Sequence, residues 1–203
     1  MKITWIGHSC FRIEEDGYSI IIDPYEDGSV PGLAEVRETA DAVICTHEHG
    51  DHNFRDGVKI KASGRAPLSV EAIETFHDDA AGTKRGKNRI YIITGKNAKI
   101  AHMGDLGCLP PESGKLKDLD AILIPVGGFY TIDGKTAAST IKELQPRVAI
   151  PMHFKGNCFG FDVLSSEKDF ISCFKNAIHL DRSTIDTDES FDSTAVVLKP
   201  ANA

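Results

Sequence analysis

Ala42-Val43-Ile44-Cys45-Thr46-His47-Glu48-His49-Gly50-Asp51-His52 is the stretch that decides how this chain is read. The apolar run Ala42 to Cys45, with its β-branched members, predicts a strand that stops where the polar residues begin. Three of the chain's eight histidines, with an aspartate among them, then fall within six residues. A strand ending in His-x-His-x-Asp-His sets imidazole nitrogens and a carboxylate on a tight turn at a sheet edge, and neutral imidazole with carboxylate is a ligand set for zinc, iron or manganese. A histidine-rich surface turn without metal is the plainer alternative, and such a density of ligand types weighs against it.

Outward from this turn, short apolar segments recur between turn signals. Lys2 to Ile6, Cys10 to Ile13, Ser19 to Ile22, Arg89 to Ile93, Lys99 to Ala101, Ala121 to Val126, Val148 to Pro151 and Ala195 to Leu198 are predicted strands, the early ones forming a meander. Glu15-Asp16-Gly17 and Thr94-Gly95-Lys96-Asn97 are hairpin turns. Helical spacing predicts helices over Val70 to Phe76, Thr136 to Leu144 and Ser166 to Ala177, the second closed by Pro146. Strands mixed with helices, without strict alternation, suggest two packed sheets with helices outside: an α/β (α+β) chain built as a four-layer αββα sandwich. The loop from Asp23 to Thr39 is the longest irregular stretch and a candidate cover for a site.

Composition narrows the function. With 203 residues, 41% of them apolar, the chain can bury the core of one domain spanning residues 1–203. A formal charge of −7, from 30 acidic and 23 basic residues, argues against nucleic acid as the main partner. Five cysteines at wide spacings, with no C-x-x-C pair, read as free thiols in a reducing cytoplasm. Met1-Lys2-Ile3-Thr4-Trp5-Ile6-Gly7-His8 contains no signal-peptide core, and no apolar stretch approaches a membrane span. A soluble protein acting on a small molecule is expected, and the sequence assigns no oligomeric state.

The run Thr46 to His52 resembles the signature of the metallo-β-lactamase superfamily. Gly104-Asp105 after a strand and His153 after Val148 to Pro151 resemble its later motifs. The opening Trp5-Ile6-Gly7-His8-Ser9-Cys10-Phe11 and Pro125-Val126-Gly127-Gly128-Phe129 resemble the subgroup of ascorbate-phosphate lactonases and phospholipase-D-like enzymes. The resemblance implies an αββα sandwich with two divalent metal ions at the sheet edges, zinc first, with manganese, iron or nickel as alternatives. His47 and His49 would hold one ion, Asp51, His52 and His153 the other, and Asp105 would bridge them. For the third ligand of the first ion the resemblance prefers His77 over His102, which lies next to a strand and could serve from behind the ligands or face the core. His8 has two even readings, a residue supporting the metal or touching substrate and a structural histidine. His179 reads as a surface or packing residue.

A pair of cations lowers the pKa of shared water from 15.7 to about 7, so hydroxide becomes the expected nucleophile. Asp51 and Asp105 would orient it and take its proton. The leaving-group proton would come from His8, His102 or metal-bound water. No Gly-x-Ser-x-Gly elbow offers a competing nucleophile. Thr83-Lys84-Arg85-Gly86-Lys87 and Lys155 have two readings, a solvated hairpin and a cationic grip on a phosphate or carboxylate. Tyr130 and Thr131 are candidate pocket contacts. The expected activity is metal-dependent hydrolysis of an ester, lactone or phosphodiester. The alternatives are a nuclease, which the acidic charge disfavours, an iron-dependent redox enzyme and a non-catalytic metal-binding protein.

Overall fold

In the computed structural model of the chain, residues 1–61, 64–109 and 113–203 are described. The first part of the chain supplies β1 (Lys2–Gly7), β2 (Cys10–Glu15), β3 (Tyr18–Ile22), β4 (Glu38–Ala40), β5 (Ala42–Ile44) and β6 (Val58–Ile60). Next come β7 (Ser69–Phe76), β8 (Lys87–Thr94), β9 (Lys99–His102), β10 (Ala121–Pro125) and β11 (Val148–Met152), with the helix α1 (Gly134–Leu144) between the last two. After α2 (Lys168–Ile171) come β12 (Ile178–His179), β13 (Thr184–Asp186) and β14 (Val196–Val197). Two five-stranded sheets result, ordered β13-β1-β2-β3-β5 and β11-β10-β9-β8-β7.

In the first sheet β1, β2 and β3 are the expected antiparallel meander, and β5 joins β3 in parallel. In the second, β7, β8 and β9 alternate in direction while β9, β10 and β11 run parallel. These pairings fix a common direction. β1 and β5 end at the same edge of one sheet, and β7, β9 and β11 end at the same edge of the other.

Strand side chains alternate between faces, and the two faces of the first sheet are buried against different partners. Ile3, Trp5, Phe11, Ile13, Ile20 and Ile22 share one apolar cluster with Ile90, Ile100 and Leu123 of the second sheet. Ile6, Cys10 and Ile21, on the alternate positions, share another with Tyr25, Val30, Val36, Ala40 and Val58. The two sheets pack as the expected sandwich, but the outer cover of the first sheet is the loop after β3 with the β4–β6 ribbon and not a helix. On the second sheet the outer cover is helical: α1 packs on β10 and α2, burying Ala137, Ala138, Ile141 and Leu144. Its N-terminus is capped by Asp133, which accepts the Thr136 amide at 2.8 Å.

Two expected helices are corrected. Val70 to Phe76 lies in strand β7, paired residue for residue with β8 from Ser69↔Thr94 to Phe76↔Lys87. Its apolar spacing fits a helix, but pairing with the long, buried β8 satisfies every second backbone group, and tertiary pairing overrides local pattern. Of Ser166 to Ala177 only Lys168–Ile171 is α-helical. Beyond it, Cys173 and Phe174 donate to the carbonyls of Phe170 and Ile171, three residues back, so the chain tightens out of the α-helix.

Phe11 is fully buried, with its ring centroid 6.3 Å from that of Trp5 and 5.8 Å from that of His102. Replacing it with alanine should cost about 3–5 kcal/mol. In urea unfolding the midpoint should fall with the slope unchanged; a loss under about 1 kcal/mol would mean that Phe11 is not part of the close-packed core.

Candidate metal centre

The shared strand direction brings the sequence's candidate residues together. His8 follows β1, the His47 to His52 run follows β5, His77 follows β7, Asp105 follows β9 and His153 follows β11. Every one sits just past the C-terminal end of a strand, at the adjoining edges of the two sheets. Asp105 is their meeting point: Nε2 of His153, His77 and His52 lie 3.0, 3.1 and 3.2 Å from its Oδ2, and His47 Nε2 lies at 4.0 Å.

Among the described residues, three sets of ligand atoms are close enough to share an ion: His47, His49 and His77; His47, His52 and Asp105; and His8, Asp51, His52 and His153. His77, not His102, joins the first pair of histidines. His102 is fully buried behind the cluster, where its Nδ1 accepts the Gly104 amide at 3.1 Å and its Nε2–H donates to the Ser9 carbonyl at 2.8 Å. With both nitrogens held by backbone groups, it is no proton donor for a leaving group. His8 is drawn in as a neighbour of the cluster, its Nε2 3.3 Å from Asp51 Oδ2 and its ring 4.1 Å from that of His153.

The donor atoms fit a metal. Nε2 of His47, His52 and His153, and Oδ1 of Asp105, are buried without a hydrogen-bond partner. Such atoms are costly in a folded chain unless another ligand engages them. The far side of two of these rings is also set for that role. Asp23 Oδ2 accepts from Thr46 Oγ1 at 2.7 Å, which leaves that hydroxyl oxygen to accept from His47 Nδ1–H at 3.0 Å. The same carboxylate oxygen accepts from His52 Nδ1–H at 3.0 Å. In both rings the proton is thereby fixed on Nδ1 and the Nε2 lone pair faces inward.

Charge in the cluster follows from burial and proximity. Burial, then the neighbouring His52, pushes His47 down to about 3. Burial, then His153, pushes His8 down to about 4. Burial and His77 also lower His49. Burial opposes ionisation of Asp105, but His153 and His52 outweigh it and hold the carboxyl well below the usual range. Burial likewise disfavours a charged His52, and Asp105 and Asp51 reverse this, raising it well above an ordinary histidine. The carboxylates thus demand positive charge among rings that burial prefers neutral, a balance that divalent cations meet without protons.

Above the cluster lies a cavity of about 470 Å³, lined by Ser29, His49, Gly50, Asp51, His77, Lys84, Arg85, Asp105, Tyr130 and Phe161. The loop after β3 reaches it through Ser29. Of the expected substrate contacts, Tyr130, Lys84 and Arg85 line it. Lys155 does not: its ammonium lies 2.6 Å from Asp162, and it lines a different hollow with Trp5 and Phe159. Thr131 also turns away, donating to the Ile132 carbonyl at 3.1 Å. His179 is exposed on β12.

Sequence reasoning passed over two supporting residues. Asp23 carried a signal, a carboxylate directly after the apolar run Ile20 to Ile22. Asn88 carried none; its Oδ1 accepts the Asp105 amide at 3.0 Å and its Nδ2 donates to the Met103 carbonyl at 2.9 Å, pinning the turn at Gly104. That turn needs glycine, since Gly104 has φ +55° and a Cβ would lie 2.3 Å from Asn88 Oδ1. Asp23→Ala would strand the Thr46 amide and hydroxyl and His52 Nδ1, all buried. The expected cost is about 2–5 kcal/mol of stability in urea unfolding, with zinc affinity about 10–100-fold weaker in competition with a chelator. Unchanged affinity would show that Asp23 does not set these rings.

The family described as β-lactamase superfamily domain matches residues 2–153. A metal-dependent hydrolase of the UPF0173 group from Hyperthermus butylicus is 28% identical over 224 residues, covering 90% of this chain and 94% of that protein. A solved structure from Thermotoga maritima, assigned to the metallo-β-lactamase superfamily as a zinc-dependent hydrolase, superposes with TM-score 0.74 at 32% identity, covering 97% of each chain. The metallo-β-lactamase fold protein YhfI of Bacillus subtilis shares the fold, with TM-score 0.64 at 13% identity over 100% of this chain and 97% of its own. This chain belongs to the β-lactamase superfamily domain family and is a metal-dependent hydrolase with the metallo-β-lactamase fold.

Proposed function

We propose that this protein uses a dinuclear metal centre to hydrolyse an ester, lactone or phosphodiester bond in a small anionic substrate. One observation carries the reading: imidazole nitrogens of His52, His77 and His153 converge within 3.2 Å of one buried carboxylate oxygen of Asp105. His47, His49 and His77 would hold one ion, Asp51, His52 and His153 the other, and Asp105 would lie between them. Zinc suits the nitrogen-rich set, and manganese, iron or nickel can enter the same ligands. Cations held by these residues would supply a hydroxide nucleophile at neutral pH and Lewis-acid polarisation of the bond to be broken.

The chain's own groups supply the rest. Asp51 is the more exposed of the two carboxylates and lines the cavity, so it is placed to orient the attacking water and receive its proton. His8 keeps Asp51 in place through the 3.3 Å contact and stays neutral by burial, which suits it to hold or pass a proton rather than carry a fixed charge. Tyr130 and Phe161 give the cavity an aromatic wall that excludes water from one side of the substrate. The cavity volume of about 470 Å³ matches a small molecule rather than a polymer backbone.

The test is metal analysis of the purified protein with a panel of carboxylic ester, lactone and phosphodiester substrates, and His49→Ala as the control. His49 is exposed at the cavity, so its loss should leave the fold intact. About two metals per chain are expected, with hydrolysis of one panel member falling at least a hundredfold in the variant, about 2.7 kcal/mol. Turnover unchanged in His49→Ala would overturn the ligand assignment. Coloured protein rich in iron, inert toward the whole panel, would replace hydrolysis with redox chemistry.

A further inference from the structure

The loop between β7 and β8 is organised round a single carboxylate. Asp78 is buried and accepts four backbone N–H bonds, through Oδ1 from Ala80 at 2.8 Å and Gly82 at 2.9 Å, and through Oδ2 from Lys84 at 3.0 Å and Arg85 at 2.8 Å. Gly107, two residues past Asp105, packs so closely on this loop that a Cβ there would lie 2.1 Å from the Asp78 nitrogen. Bound from within and pressed from beside the metal cluster, the backbone under Lys84 and Arg85 has a fixed position.

Arg85 uses that position. Its side chain is half-buried, its guanidinium carbon stands 5.6 Å from the centroid of the Tyr130 ring, and it lines the cavity together with His49, His77 and Asp105. Among the described residues no carboxylate pairs with it. Of the neighbouring cations, Lys84 Nζ lies 2.8 Å from Asp79 Oδ1 and Arg89 Nε lies 2.8 Å from Glu74 Oε1, while Lys87 is exposed and lies outside the lining of this cavity. A partly desolvated guanidinium held against an aromatic face, with no acidic partner and open to a ligand cavity, has its planar donor fork free for an oxyanion.

We propose that Arg85 anchors an anion subsite, gripping a carboxylate or phosphate group that the substrate carries at a distance from the bond cleaved at the metal centre. The placement of this group relative to the cleaved bond rests on the proposed hydrolysis, but the subsite itself does not need turnover to be tested. Asp78 is a positioning residue for it, and Tyr130 supplies the ring over which the guanidinium stands.

The experiment compares wild type, Arg85→Met and Arg85→Lys, each loaded with zinc. Two chromogenic esters of equal chain length are assayed, mono-p-nitrophenyl adipate, which ends in a carboxylate, and neutral p-nitrophenyl hexanoate. Adipate and hexanoate are titrated calorimetrically in parallel, since both offer one carboxylate to the metals and only adipate offers a second. In Arg85→Met, KM for the adipate ester should rise about tenfold with kcat little changed, and adipate binding should weaken about tenfold, ~1.4 kcal/mol. The hexanoate ester and hexanoate should be unaffected, and Arg85→Lys should recover part of the loss. Equal losses on charged and neutral compounds, or no change on either, would overturn the subsite. If wild type turns over neither ester, carboxylic ester hydrolysis fails as a reading while the titrations still decide the role of Arg85; adipate binding no tighter than hexanoate in wild type decides against it.

Discussion

The Asp105 carboxylate, buried between the edges of two sheets and ringed by imidazoles, is the interaction on which the rest of this structure depends. A lone carboxylate at that depth would be neutralised by desolvation. Here the imidazoles of His153 and His52 hold it ionised, although burial drives His47 and His8 toward neutrality. The result is a set of nitrogen lone pairs and carboxylate oxygens that only cations can satisfy together. Asp23 and Asn88 act one step further out, the first fixing two imidazole tautomers and the second fixing the backbone that carries Asp105.

The fold serves this cluster through direction. Because the pairings of both sheets point β1, β5, β7, β9 and β11 to one edge, five separate chain segments deliver side chains to one place. The backbone there is bent sharply to do so: His8, Asp23 and His153 all have φ near +50°, a region costly for residues with a Cβ. His8 and His153 are also tied together, the His153 amide donating to the His8 carbonyl at 3.3 Å, and Trp5 Nε1 donates to the same carbonyl at 2.9 Å. Core packing around Trp5 is thus coupled to the geometry of the cluster.

Much of this was legible in the sequence. The run His47 to His52 announced the ligand chemistry because ligand types were dense and followed an apolar strand, and the meander β1 to β3 was written in alternating residues and turns. What was hidden depended on contacts distant in sequence. Val70 to Phe76 carries a spacing that suits a helix, and only its eight-residue pairing with β8 makes it a strand. The resemblance prefers His77 over His102, and what the sequence leaves unseen is that backbone groups of Ser9 and Gly104 hold both nitrogens of His102. Asn88 and Asp78 look like ordinary loop and strand polar residues until the backbone groups they bind are known. Lys155 looks like Arg85 in sequence, a cation near a ligand, and differs in that Asp162 already claims it and that it lines a different hollow.

These side chains are proposed to enclose two cations with Asp105 between them. Anomalous scattering from crystals of the zinc-loaded protein, recorded on both sides of the zinc edge, tests it most directly. Two zinc peaks should flank the Asp105 carboxylate, one among His47, His49 and His77 and the other among Asp51, His52 and His153. A single peak away from Asp105, or none within reach of its oxygens in fully loaded protein, would contradict it.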